Sequence, residues 1–166
     1  QSCFRCCREM GSRLYQVAKN VEVLSMYQEL LRKIAEEKPS YNQEEIQWLL
    51  DHLGDPSPEI RDELVFTSLA RGIQEELFTK EEFQFISAMI VSDGGLDKEI
   101  DKVGLSTLER SFRALIYANL LSADGNQHSI YYQVLKTDIR NTMLDQGLHY
   151  LEKEEDTTGF SSQYGW

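Results

Sequence analysis

The sequence holds no apolar run near the ~18 residues that a membrane-spanning helix needs. Its greasiest stretch, from Phe112 to Leu121, is interrupted by Arg113 and Asn119. Proline (3) and glycine (10) are too sparse for a collagen-like or low-complexity chain. Positive charge is scarce too: 17 Lys and Arg stand against 28 Asp and Glu, a net charge of −11. A surface this acidic repels phosphate backbones, so nucleic acid is not expected as the main partner. The phosphate-loop, Rossmann, H-E-x-x-H and G-x-S-x-G patterns are absent, which argues against those enzyme classes.

Cysteine occurs only at Cys3, Cys6 and Cys7. Zinc usually takes two ligand pairs, and no second pair follows; the next ligand types, His52, His128 and His149, lie far along the chain. A tail with reactive thiols is the expected reading, and no metal or cofactor is expected. Residues 1 to 8 lack the apolar core of a signal peptide, so a soluble, cytoplasmic protein is expected. Met10-Gly11-Ser12-Arg13 resembles the start of a recombinant reading frame. Residues 1–13 are therefore expected to be a flexible or expression-derived tail, with one domain over 14–166.

What is present is mostly helical patterning. The 166 residues are 41% hydrophobic and 27% charged, enough for one core. Val17, Val21, Leu24, Tyr27, Leu31 and Ile34 step by three or four and predict a helix ended by Lys38-Pro39. Asn42 with Glu45 has capping-box spacing and opens a second helix buried through Ile46, Leu49, Leu50 and Leu53. Ser57 is expected to cap a third helix, with Pro58 at its first position and Ile60, Leu64, Val65, Leu69 and Ile73 inside. Two further capping boxes follow. Thr79 with Glu82 starts the helix of Phe83, Phe85, Ile86, Met89 and Ile90, and Ser106 with Glu109 starts that of Leu108, Phe112, Leu115, Ile116 and Leu120. Residues 96–105 fit a short helix or a loop equally. Residues 129–153 read as one broken helix or two, and Tyr131-Tyr132 is the only hint of strand.

The expected fold is all-α, with six or seven helices. They pair antiparallel, as a HEAT-like α-solenoid or an irregular bundle. Asp55-Pro56-Ser57-Pro58-Glu59-Ile60-Arg61 resembles the turn between the helices of a HEAT repeat, which implies structural roles for Asp55 and Arg61.

Three segments together carry a family likeness. His52-Leu53-Gly54 running into Ile60-Arg61-Asp62-Glu63-Leu64-Val65-Phe66 is similar to "H-I-G-S … L-R-D-x-L-I-Y". Arg110-Ser111-Phe112-Arg113-Ala114-Leu115 is similar to "R-S-F-S-x-L". The stretch from Tyr150 to Phe160, with Gly165-Trp166, is similar to "Y-L-x-x-E-x-D-x-R-G-[FY] … G-W-A-H-x-x-A-H". In this order, over residues 40–166, the chain resembles the uncharacterised bacterial domain-of-unknown-function family 2785. The resemblance implies a HEAT-like helical fold and no established activity. Thr158 stands where the family usually has arginine. Trp166 falls just before the His-rich segment, so a C-terminal continuation is expected.

The candidate polar cluster is Arg61, Asp62, Arg110, Asp156 and Trp166. Arg110 sits near the start of an apolar helix, where a buried arginine needs a partner, and Asp156 is the expected one. Asp93, Asp97, Glu99 and Asp101 form a weak calcium candidate, because Lys98 and Gly104 stand where a calcium loop has Gly and Glu. The leading expectation is a protein–protein interaction module, with no nucleic acid and no membrane as partner. The alternative is an enzyme or small-ligand binder completed by a later segment. Helices from residue 130 onward are expected to expose apolar surface, available for a partner or for homodimer formation.

Overall fold

The computed structural model describes residues 2–154, with side chains from residue 12 onward. The described residues are helical with no strand, and divide into two compact units, residues 1–37 and 38–166. The first unit contains helix α1 (Ser2–Ile34). The second holds α2 (Gln43–Asp51), a π-helical segment (Glu59–Phe66) running into α3 (Thr67–Gln74), and α4 (Lys80–Val91). A 3-10 turn (Gly95–Asp97), α5 (Leu105–Gly125) and α6 (Thr137–Lys153) follow.

Within the second unit each helix packs on the one after next: α2 on α4, α4 on α6, and α3 on α5. The result is two layers, α2–α4–α6 and α3–α5, closed at one end by contact of α5 with α6. Between them lie fully buried Ile46, Leu49, Leu64, Leu69, Phe83, Ile86, Leu108 and Ile116. Two capping boxes set the start of the first layer. The Asn42 side chain accepts the Glu45 N–H and Glu45 accepts the Asn42 N–H, and Thr79 and Glu82 do the same for α4.

Two expected caps form otherwise. Ser57 Oγ donates to Glu59 Oε2 instead of accepting a backbone N–H, and its own N–H is taken by Asp55 Oδ1. Helical structure then begins at Glu59 in π form. Ser106 lies inside α5, which starts at Leu105 after Gly104 with no side-chain cap; its hydroxyl donates to the Lys102 carbonyl. Glu109 is drawn away to Arg113 at 2.7 Å.

On α1 the apolar row lies on one face, as its period predicts, but Val17, Val21, Leu24 and Leu31 are exposed, and only Tyr27 and Ile34 are partly covered. The buried residue is Leu30, on a different face.

The loop before α6 is anchored by a tyrosine, not a strand. Tyr131 is fully buried, stacked on Phe83 with ring centroids 4.2 Å apart. Its hydroxyl donates to the Phe78 carbonyl at 2.7 Å and accepts the Phe78 N–H at 3.1 Å. On α5, Tyr117 donates to Gln146 Oε1. Gly95 must be glycine here: its φ is +50°, and a Cβ would collide with Gln146 and the Tyr117 hydroxyl.

Burial pushes both hydroxyls up to about 12. The folded protein therefore holds two protons that the unfolded chain releases from pH ~10. Stability is unaffected below that pH and falls between pH 10 and 12, by roughly 1.4 kcal/mol per pH unit for each tyrosine. Absorbance at 295 nm, compared with Tyr117→Phe and Tyr131→Phe variants, should show the two ionising together with loss of helical circular dichroism. Ionisation of both near pH 10 with the helices intact would contradict this.

Candidate functional site

Arg110 is the most heavily bonded side chain of the polar cluster. It lies on α5 with 3% of its side chain exposed. Nε donates to Glu154 Oε2 at 2.7 Å, Nη1 to the Glu99 carbonyl at 2.6 Å, and Nη2 to the Lys102 carbonyl at 2.7 Å and Thr107 Oγ1 at 3.2 Å. One guanidinium thus ties α5, the 98–103 loop and the end of α6. The expected ion pair is present, but its acid is Glu154. Asp156 and Trp166 lie outside the described residues. The Arg110 donors are turned inward and hold the three segments together.

Arg61 and Asp62 meet each other elsewhere. The Arg61 side chain is 1% exposed and grips Asp62 through Nε at 2.6 Å and Nη2 at 3.2 Å. Nη1 reaches the Asp55 carbonyl at 3.3 Å, and the guanidinium carbon lies 5.5 Å from the Phe112 ring centroid. This braces the turn before α3 against α5. A third buried pair was not expected. Asp124 closes α5 onto the start of α6 by accepting from Arg140 Nε at 2.7 Å and Leu135 N–H at 2.8 Å. The Asp124 carboxylate holds the Arg140 guanidinium above its ordinary value. Sixteen residues separate the two, too far for a local motif to reveal them.

The four acids of the calcium candidate are not gathered round a point. Asp93 pairs with Lys98 at 3.0 Å, Glu99 with Lys102 at 2.8 Å, and Asp97 Oδ1 accepts from His149 Nδ1 at 2.6 Å. The Asp93 carboxylate raises Lys98 and Lys102 lowers Glu99, each through its hydrogen bond. Asp101 is exposed. Among the described residues no group of three His, Cys, Asp or Glu side chains is placed to hold a metal ion.

A cleft of about 310 Å³ opens between α2, α4 and α5, lined among others by Gln47, Asp51, Lys98 and Arg113. Its charges satisfy one another: Gln47 bonds Asp51, Lys98 bonds Asp93, and Arg113 donates to the Ile90 carbonyl and Glu109. Such a lining offers little to orient a small molecule.

The outer face of α6 is different. Leu144, Leu148 and Leu151 form a row at helical spacing and are 45%, 62% and 77% exposed. Exposed Asp138, Asp145 and Glu152, seven residues apart, run beside that row. The opposite face, with Met143 and Gln146, is buried. Ile130, Tyr132, Val103 and Leu105 are exposed as well. The apolar surface expected from residue 130 onward is therefore present, and its acidic border is the part that counting leucines did not reveal.

These features define an all-α protein of two stacked helical layers, braced by buried arginine–carboxylate pairs. Residues 104–166 match the model of the family described as "Protein of unknown function (DUF2785)", so this stretch of the chain is similar to that family. The match covers the second and third of the three similar segments; the first, at residues 52–66, lies before it. No curated protein and no solved structure matches the chain. Among the described residues no helix is long and apolar enough to cross a membrane.

Proposed function

We propose that the protein is an interaction module in which the outer face of α6 receives a basic amphipathic helix of another protein. The observation that carries this is the leucine row Leu144, Leu148, Leu151 with its parallel border of Asp138, Asp145 and Glu152. In the α2–α4–α6 layer each helix covers the next. The outer face of α6 presents the same kind of surface to whatever packs on it, so a helix is the fitting shape. Apolar burial supplies the affinity, and the acidic border selects a partner with lysine or arginine beside its apolar row. Helix pairs stacked in this alternate order also support the HEAT-like reading.

The test uses wild type and a Leu148→Ser/Leu151→Ser variant as baits in lysate of the source organism, at low and high salt. Both positions are exposed, so the variant should keep its fold. The reading expects a protein held by wild type at low salt and lost both on substitution and at high salt. A capture profile identical for the two baits would overturn it.

A further inference from the structure

We propose that α1 is a dimerisation helix, which pairs with α1 of a second copy of this chain in a parallel two-stranded coiled coil. This goes beyond the α6 reading and does not depend on it.

The exposed residues of α1 fall in a seven-residue period. Leu14 and Val21, with Gln28, occupy one core position of the heptad, and Val17, Leu24 and Leu31 occupy the other. In the sequence the same period runs back through Met10, Cys7 and Cys3. Leu14, Val17, Val21 and Leu24 are 55–70% exposed, and Leu31 is 39% exposed. All residues from Ser12 to Ser25 are exposed, polar and apolar alike. A helix of 33 residues gains stability in water mainly by packing its apolar face. The row from Leu14 to Leu31 is about 26 Å long, at ~1.5 Å per residue, and every described member but Gln28 is apolar.

The period is self-complementary, which favours a second copy over an unrelated partner. In a parallel, in-register pair each core residue meets its own equivalent. The flanking positions then place Arg13 beside Ala18, Asn20 beside Ser25 and Tyr27 beside Arg32 of the other copy, so no like charges face each other. Gln28 fixes the orientation. In the parallel arrangement its amide meets the amide of the second Gln28 and both hydrogen-bond. Reversed, with Leu14 opposite Leu31, Gln28 faces Val17 and its amide is buried against a methyl group. A single polar core residue sets register in this way.

Sedimentation equilibrium on the full chain should give twice the 19.2 kDa chain mass. A Val21→Glu/Leu24→Glu variant should sediment as a monomer, with the helical signal of the second unit unchanged because both side chains are exposed. The Leu148→Ser/Leu151→Ser variant should remain dimeric, which separates this proposal from the α6 reading. Gln28→Cys, in a background with Cys3, Cys6 and Cys7 replaced by Ser, should cross-link between copies on oxidation with diamide. A monomeric wild type at ~100 μM, or a dimer that survives Val21→Glu/Leu24→Glu, would overturn the proposal. Absence of the Gln28→Cys cross-link in a dimer would overturn its parallel register.

Discussion

An Arg110→Ala variant should lose about 3–5 kcal/mol of folding stability, the usual cost of removing one partner of a buried ion pair. The arginine holds three segments at once: α5 itself, the loop through the Glu99 and Lys102 carbonyls, and α6 through Glu154. Truncation takes the guanidinium from a carboxylate only 10% exposed, and a donor from the Glu99 and Lys102 carbonyls, the second of which keeps the Ser106 hydroxyl. The lost charge-assisted bonds in a buried setting are the cost. Arg110→Lys restores the charge but one ammonium cannot replace the planar fork, so an intermediate loss is expected. Urea unfolding measures both, with the midpoint lowered and the slope unchanged. A loss below about 1 kcal/mol for Arg110→Ala would show that the clamp is dispensable. The α6 face would then be positioned by its packing on α4 and α5 and by the Asp124–Arg140 pair.

Tyr131 should give the second large effect. Replacement by Ala removes a ring stacked 4.2 Å from Phe83 and a hydroxyl bonded to both backbone groups of Phe78. Deleting a buried aromatic side chain costs about 3–5 kcal/mol. Tyr131→Phe keeps the ring, so its loss should be only about 1–3 kcal/mol, the price of a buried N–H and carbonyl left without a partner. The difference between the two variants separates packing from hydrogen bonding. Equal losses would mean that the ring contributes little, which a fully buried position does not allow. Hydrogen exchange should also rise in the 126–136 loop, because Tyr131 is its buried attachment to the turn before α4, beside the exposed bond from Ile130 N–H to Glu76.

Local chemistry was readable where both partners sit within a few residues. Asn42 with Glu45 and Thr79 with Glu82 form their capping boxes as the spacing predicts. The same spacing at Ser106 and Glu109 fails, because Gly104, with φ of +106°, starts the helix earlier and Arg113 takes the glutamate. A motif states what two residues can do, while competing partners decide what they do. Most of the expected inward residues of α2 through α5 are buried, but Ile60, Phe85 and Met89 are only half-buried and Leu115 is 44% exposed.

Periodicity alone does not say whether an apolar row has something to pack on. The rows on α1 and α6 read like those of α2 and α4, yet they are exposed. The arginine pairs show the same limit at longer range. That Arg110 needs an acid follows from its apolar helix, but Glu154 is 44 residues away and only the packing of α6 on α5 selects it. Tyr131 and Phe78, 53 residues apart, carry no mark of each other in the sequence.

The docking face of α6 is tested most directly by titrating two labelled synthetic helices of leucine, one with lysine and one with glutamate on its polar face, and reading fluorescence anisotropy. Wild type should bind the lysine peptide in preference to the glutamate peptide, more weakly as salt rises. The Leu148→Ser/Leu151→Ser variant, with its charge unchanged, should bind the lysine peptide at least about tenfold more weakly, a difference of ~1.4 kcal/mol. Equal binding of the lysine peptide by wild type and variant would contradict the account, since attraction to an acidic surface would then explain all of it.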